Sequence, residues 1–293
     1  GSHAFYNCRS LISIVIPGVT SIGAQTFYEC RELVDVYITN IAAWCNIEFL
    51  DGYSNPLTYA HNLYLNGDLV TNLVIPSDVT NIGDSVFHNC SRLTNITIPD
   101  SVTSIGDFAF EGCLSLTSVT IGNGVTSIGD GAFYQCYSLT SIIIPDSVTD
   151  IGFSAFDGCN KLIYNEYDNA LYCGNRINPY VVLIKAKNNT AETVVINKAT
   201  KLICGGAFSG CGNLKDIIIP DGVMRIKFAT FWGCRSLTSI TIPDSVMNIE
   251  DNAFHDCSSL KEVNYKGTQE QWNKIEIGDE NAYLTNAKRN YIK

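Results

Sequence analysis

Cysteine is the residue whose chemistry this sequence offers most often, with twelve in 293 residues. Nine of them close a Phe-x-x-Cys pair: Cys8, Cys30, Cys90, Cys113, Cys136, Cys159, Cys211, Cys234 and Cys257. A thiol can cross-link, bind metal or act as a nucleophile, and each use needs a partner. No C-x-x-C pair occurs, so the usual zinc or redox spacing is missing. A nucleophilic thiol needs a histidine, and there are only four. His3 lies in Gly1-Ser2-His3, which reads as a cloning scar. His88 and His255 follow the ladder Phe, a slot also filled by Tyr28, Tyr134, Ser209 and Trp232, which marks a solvent-facing turn. His61 corresponds to Lys288 in a second copy of its segment. Asp84, Asp107 and Asp130 form a column, and Asp100, Asp146, Asp221 and Asp244 each follow a proline. Such a column would hold calcium weakly, but one carboxylate per repeat does not supply six ligands. Capping and turn chemistry account for the same residues. The expectation is no catalytic residue, no cofactor and no metal.

The spacing explains the cysteines differently. From Cys90 to Cys159, and again from Cys211 to Cys257, they recur every 23 residues. The repeat has a physical reading in the segment 93–113. Leu93, Ile96 and Ile98 alternate as a half-buried strand, and Pro99 ends it. Val102 and Ile105 give a second inward segment, Gly106 a bend, and Asp107 a cap for a short helical turn. Ala109, Phe110 and Cys113 fill the middle. One unit cannot bury its apolar face alone, so stacking must place each residue on its copy in the next coil, roughly 4.8 Å away in a parallel sheet. The stacked thiols share one direction, which favours buried free thiols over bridges.

The pattern L-x-x-I-x-I-P…V-x-x-I-G-x-x-A-F-x-x-C resembles the BspA-like class of bacterial leucine-rich repeats, over nearly the whole chain. The resemblance and the stacking together imply a right-handed leucine-rich-repeat solenoid. A curved parallel β-sheet is expected on its concave side, with short strands and helical turns on its convex side. A single domain over 4–293 is expected, with insertions at about 39–69 and 164–190 and a C-terminal cap at about 263–293.

The first insertion and the tail are two copies of one cassette. Trp44 matches Trp272, Leu57 matches Leu284, Ala60 matches Ala287 and Tyr64 matches Tyr291. Thr268 and Gln271 have capping-box spacing, so each copy should start with a short helix that buries its Trp against the end of the preceding coil. The second insertion reads as a β-hairpin standing off the solenoid, with strands at 169–173 and 180–185. Its Tyr172 and Tyr180 are candidate contacts. On the outward sheet face the candidates are Tyr37, Asn95, Thr97, Thr120 and Ile143, within a hydroxyl-rich surface of low charge.

The charge of −10 and the absence of a basic cluster exclude a nucleic-acid footprint. No apolar run is long enough to span a bilayer, so no membrane insertion is expected. The resemblance implies a non-catalytic cell-surface or secreted scaffold for adhesion or protein interaction. Its partner would be a host matrix or cell-surface protein, or a glycan. A spacer presenting another domain and a glycan-binding module are the alternatives. Because Ala4 falls in the middle of a repeat, the chain is expected to be a fragment of a larger protein.

Overall fold

The computed structural model describes residues 1–292, which fall into two compact units, Gly1–Ile163 and a second beginning at Tyr164. Each is a parallel β-solenoid built from the 23-residue coil. In the first unit, the strands Asn72–Val74, Asn95–Ile98, Ser118–Ile121 and Ser141–Ile142 pair in parallel, with Asn72, Asn95, Ser118 and Ser141 in register. Shorter strands at Asn81–Ile82, Ser104–Ile105, Ser127–Ile128 and Asp150–Ile151 form a second ladder. The residues read as inward-facing are inward. Leu93, Ile96, Ile98, Val102, Ile105, Ala109, Phe110 and Cys113 are each at most 2% exposed.

The third side of the coil differs from the expected helical turn. Phe108, Phe110 and Gly112 donate their N–H groups to Asp130, Ala132 and Tyr134 of the next coil, at 2.7, 2.8 and 2.9 Å. Two residues here, four apart, are left-handed (Phe108 φ 54°, Gly112 φ 69°). That conformation turns the amides outward along the stack and prevents helix formation. Asp107 therefore caps no helix. Its Oδ1 accepts from the Asp130 N–H at 2.7 Å, as Asp84 accepts from Asp107 and Asp130 from Phe153. The carboxylate column is a set of inter-coil clamps.

The core stacks as the spacing requires. Phe87, Phe110, Phe133 and Phe156 lie ring on ring with centroids 5.3–5.8 Å apart and interplanar angles of 3–8°. Where a ladder Phe lies in the preceding coil the thiol donates to its carbonyl, as in Cys113 to Phe87 and Cys136 to Phe110, at 3.3 and 3.2 Å. All twelve cysteines are free, and only Cys8 is not buried. Burial pushes the thiols up: Cys211 to about 11, Cys45 and Cys257 to about 12, and Cys113 and Cys136 well above their ordinary value. Ellman's reagent should therefore find at most one fast thiol, Cys8, in native protein at pH 8, because thiolate is the reactive form. Denaturation without reductant should release about twelve; fewer than about six would mean bridges, each of which consumes two thiols.

The cassette has the same element order in both places. In the first unit it runs strand Asp35–Ile38, helix Ile41–Cys45, strand Glu48–Phe49, 3-10 turn Pro56–Thr58 and strand Asn62–Leu65. In the second it runs Glu262–Lys266, helix Gln269–Trp272, strand Glu276–Ile277, helix Ala282–Asn286 and strand Lys288–Tyr291. The Thr268–Gln271 capping box is made on both sides. Trp44 and Trp272 are 1% and 5% exposed. The Trp44 indole N–H also donates to the Val86 carbonyl at 2.9 Å, so it anchors the coil that follows it as well. After the cassette the chain turns back at Asp68–Leu69, antiparallel to Asn62–Leu65, and a new parallel sheet opens at Asn72.

In the second unit, Asp216–Ile218, Ser239–Pro243, Glu262–Lys266 and Lys288–Tyr291 form the outward sheet. The hairpin is present, but it does not stand off the solenoid. Ala170–Cys173 pairs antiparallel with Val182–Ala186, and an additional strand, Asn165–Tyr167, joins its outer side. Val182 and Leu183 then pair in parallel with Leu202 and Ile203 of the inter-coil ladder. The run Val181–Ile184 is apolar on both faces, and it is buried as part of the core.

Candidate interaction face

Every coil strand shows one row of side chains to solvent, because alternate residues point to opposite faces. In the first unit this row includes Asn95, Thr97, Thr120 and Ile143, all exposed. The Asn95 amide donates to Asn72 Oδ1 at 2.7 Å, and its Oδ1 accepts from the Ser118 hydroxyl at the same distance. Beside these, Thr94, Thr117 and Thr140 each donate a hydroxyl hydrogen to a Thr carbonyl 23 residues back. Much of the polar side-chain capacity is thus spent along the stack, which holds the face rigid. Tyr37 is half-buried and stacks on Tyr64 at 4.7 Å, with the Asn62 amide donating to Asp35 Oδ1 alongside.

Within the same outward row stand bare aliphatic groups. Val15, Val74 and Ile143 are 61–67% exposed in the first unit, and Val195 and Ile218 are 58% and 60% exposed in the second. Of these five, only Ile143 is among the candidate contacts read from the sequence.

Two candidates came from the hairpin, and one is corrected. Tyr172 is fully buried. Its hydroxyl accepts from the Asn197 N–H at 3.2 Å, and burial raises the phenol to about 12. It satisfies the N–H of Asn197, whose slot in the next coil is Pro220 with no N–H, and it has no surface to offer a partner. Tyr180 is half-buried, edge-on to Tyr172 and Tyr167 at 5.5 and 5.8 Å.

His88 and His255 sit partly exposed beside Glu111 and Glu280, at 3.2 and 3.6 Å. Among the described residues no group of His, Cys, Asp and Glu is placed to hold a metal ion, and no helix is long and apolar enough to cross a membrane.

Six copies of the model for the BspA type leucine-rich repeat region match this sequence, over residues 1–49, 59–173 and 186–281. The chain belongs to the BspA-type leucine-rich repeat family. The two internal unmatched stretches fit the geometry: 50–58 is the loop and turn of the first cassette, and 174–185 is the hairpin's turn with most of its return strand. No curated protein matches the sequence. Among solved structures, the BspA-type chain is similar to a leucine-rich cell surface protein from Faecalibacterium prausnitzii, at 28% identity over 94% of this chain and 85% of that one, with a TM-score of 0.38. A leucine-rich repeat protein from Bacteroides ovatus is 26% identical over 100% and 87% of the two chains, with a TM-score of 0.38. The leucine-rich repeat protein of T. pallidum is 23% identical over 76% and 86%, with a TM-score of 0.39. The family assignment rests on the BspA-type repeats themselves, and it makes the chain a repeat protein of a kind suited to protein interaction.

Proposed function

We propose that this chain is a non-catalytic interaction scaffold, acting at the cell surface or outside the cell, that grips an extended protein partner with its outward sheet faces. The observation that carries the reading is the exposed aliphatic side chains within the outward row, Val15, Val74 and Ile143 in one unit and Val195 and Ile218 in the other. β-Propensity alone would be satisfied by threonine, which holds the same slot at Thr97 and Thr120. A bare valine or isoleucine within a rigid hydroxyl frame gains by being covered. We take the partner to be a host matrix or cell-surface protein.

The test is saturable binding of the whole chain to purified matrix proteins, with a glycan array in parallel. The expected result is binding to a protein, weakened about tenfold or more by Val74→Asp combined with Thr97→Asp. Both positions are exposed, so folding should be unaffected. Binding to glycans alone, or to nothing, overturns the reading; the second outcome is what a spacer would give.

A further inference from the structure

The outward face of the second unit is broken at one place. The Glu192 carbonyl accepts from the Lys215 N–H at 3.0 Å, and Thr193 bridges Asp216 in parallel. Beyond that pair the strands part. Ile16, Ile75 and Ile219 each donate an N–H to the neighbouring strand, at Tyr37, Thr97 and Thr241, over 2.9–3.0 Å. Ile196 holds the same place in its coil, but makes no such bond to the Ile218 carbonyl. Its strand is held from the other side by side chains. The Asp168 carboxylate accepts from the Val195 N–H at 2.6 Å, and the buried Tyr172 hydroxyl accepts from Asn197.

The parting leaves a cleft of about 430 Å³. Val195 and Ile218 form apolar walls, 58% and 60% exposed. At one end lie Lys198 and the ion pair between Lys266 and Asp221, which are 2.7 Å apart. Lys266 is thereby neutralised, whereas Lys198 has no carboxylate within bonding distance among the described residues. At the other end the Asp216 carboxylate accepts from the Ser239 hydroxyl.

We propose that this cleft receives an extended segment of a protein partner, with an aliphatic or aromatic side chain between Val195 and Ile218, backbone bonds to the Ile196 N–H and Ile218 carbonyl, and a carboxylate against Lys198. The proposal rests on the scaffold reading above and names where such a partner is held. Three properties converge on it. A concave site of a few hundred Å³ suits one or two side chains. Parted strands offer the unmade ladder bonds that an added strand completes. The charge runs from Asp216 at the closed end to Lys198 at the other, which orients the occupant.

The probe is a blocked heptapeptide of threonine with leucine at the centre and aspartate two places later, titrated into the whole chain while backbone amide resonances are followed. The Ile196 and Ile218 amides should shift saturably. Val195→Asp should weaken binding about tenfold, and Lys198→Glu should reverse the preference toward a peptide with lysine in place of aspartate. Ile196 and Ile218 amides that stay unmoved, or that respond equally to a glycine-centred peptide, would overturn the proposal. Octanoate binding where the peptide does not would reduce the cleft to a site for small amphiphiles and overturn it as well. Failure here is separable from failure of the scaffold reading. If Val195→Asp leaves binding of a matrix protein intact while Val74→Asp with Thr97→Asp abolishes it, the cleft proposal falls and the scaffold stands. If the peptide binds in the cleft but no protein binds the chain, the reverse holds.

Discussion

Phe133→Ala should cost about 3–5 kcal/mol, the range for truncating a buried phenylalanine. Phe133 is fully buried, with Phe110 at 5.4 Å on one side and Phe156 at 5.8 Å on the other. Alanine would leave a void bounded by two ring faces, and the coils cannot slide together because backbone ladders fix their spacing. The Phe133 N–H donates to Ala155, and its carbonyl accepts the Cys159 thiol. The damage should begin locally, since contacts in such arrays are nearest-neighbour. Hydrogen exchange resolved by coil should show loss of protection first in the coils of Phe110 and Phe156. A urea-derived loss below about 1 kcal/mol would contradict the stacked core.

Stability should fall steeply above pH 9. Burial raises the thiols of Cys45, Cys90, Cys113 and Cys136 in the first unit, and of Cys211, Cys234 and Cys257 in the second, above the ordinary 9.0. The folded state keeps protons that the unfolded chain releases, so these thiols contribute fully below pH 9. Their contribution is lost as pH climbs through the folded values of about 11 and 12. A thiol that stays protonated in the fold but ionises in the unfolded chain costs on the order of 1 kcal/mol for each pH unit above 9. Urea midpoints at pH 8, 9 and 10 measure this directly. Replacing Cys113 and Cys136 together by alanine should lower stability at pH 8 but flatten its slope above pH 9. A wild-type midpoint that does not move between pH 8 and 10 would refute the account.

What the sequence made legible was whatever repeats. Leu93 through Cys113 could be assigned because the pattern recurs every 23 residues, and only stacking satisfies it. Trp44 and Trp272 were identifiable as equivalent for the same reason. What escaped was the bonding between coils. Asp107 was read as a cap for its own turn, because local capping rules look a few residues ahead, whereas its partner Asp130 is one coil away. Tyr172 was read as exposed because a hairpin signal says nothing about what lies against it. Its burial follows from the pairing of Val182 and Leu183 with Leu202 and Ile203, which no periodicity announces. The cleft escaped for a related reason: Thr193 to Ile196 spells an ordinary coil strand, and only the displaced hairpin beside it parts that strand from Asp216–Ile218.

The inter-coil clamps have a consequence for how such a gene can change. The clamp carboxylates Asp84, Asp107 and Asp130 are satisfied by the coil after them, and the thiols of Cys113 and Cys136 by the coil before them. A coil's outgoing bonds are therefore interchangeable with its incoming ones. If residues 107–129 were excised, Gly106 would run into Asp130, and Asp84 would meet the Asp130 N–H in place of that of Asp107. Unequal crossing-over between repeated DNA segments could then lengthen or shorten the array by whole coils without orphaning a polar group at the seam. The reach of the outward face can drift in steps of one strand while the architecture that carries it stays the same.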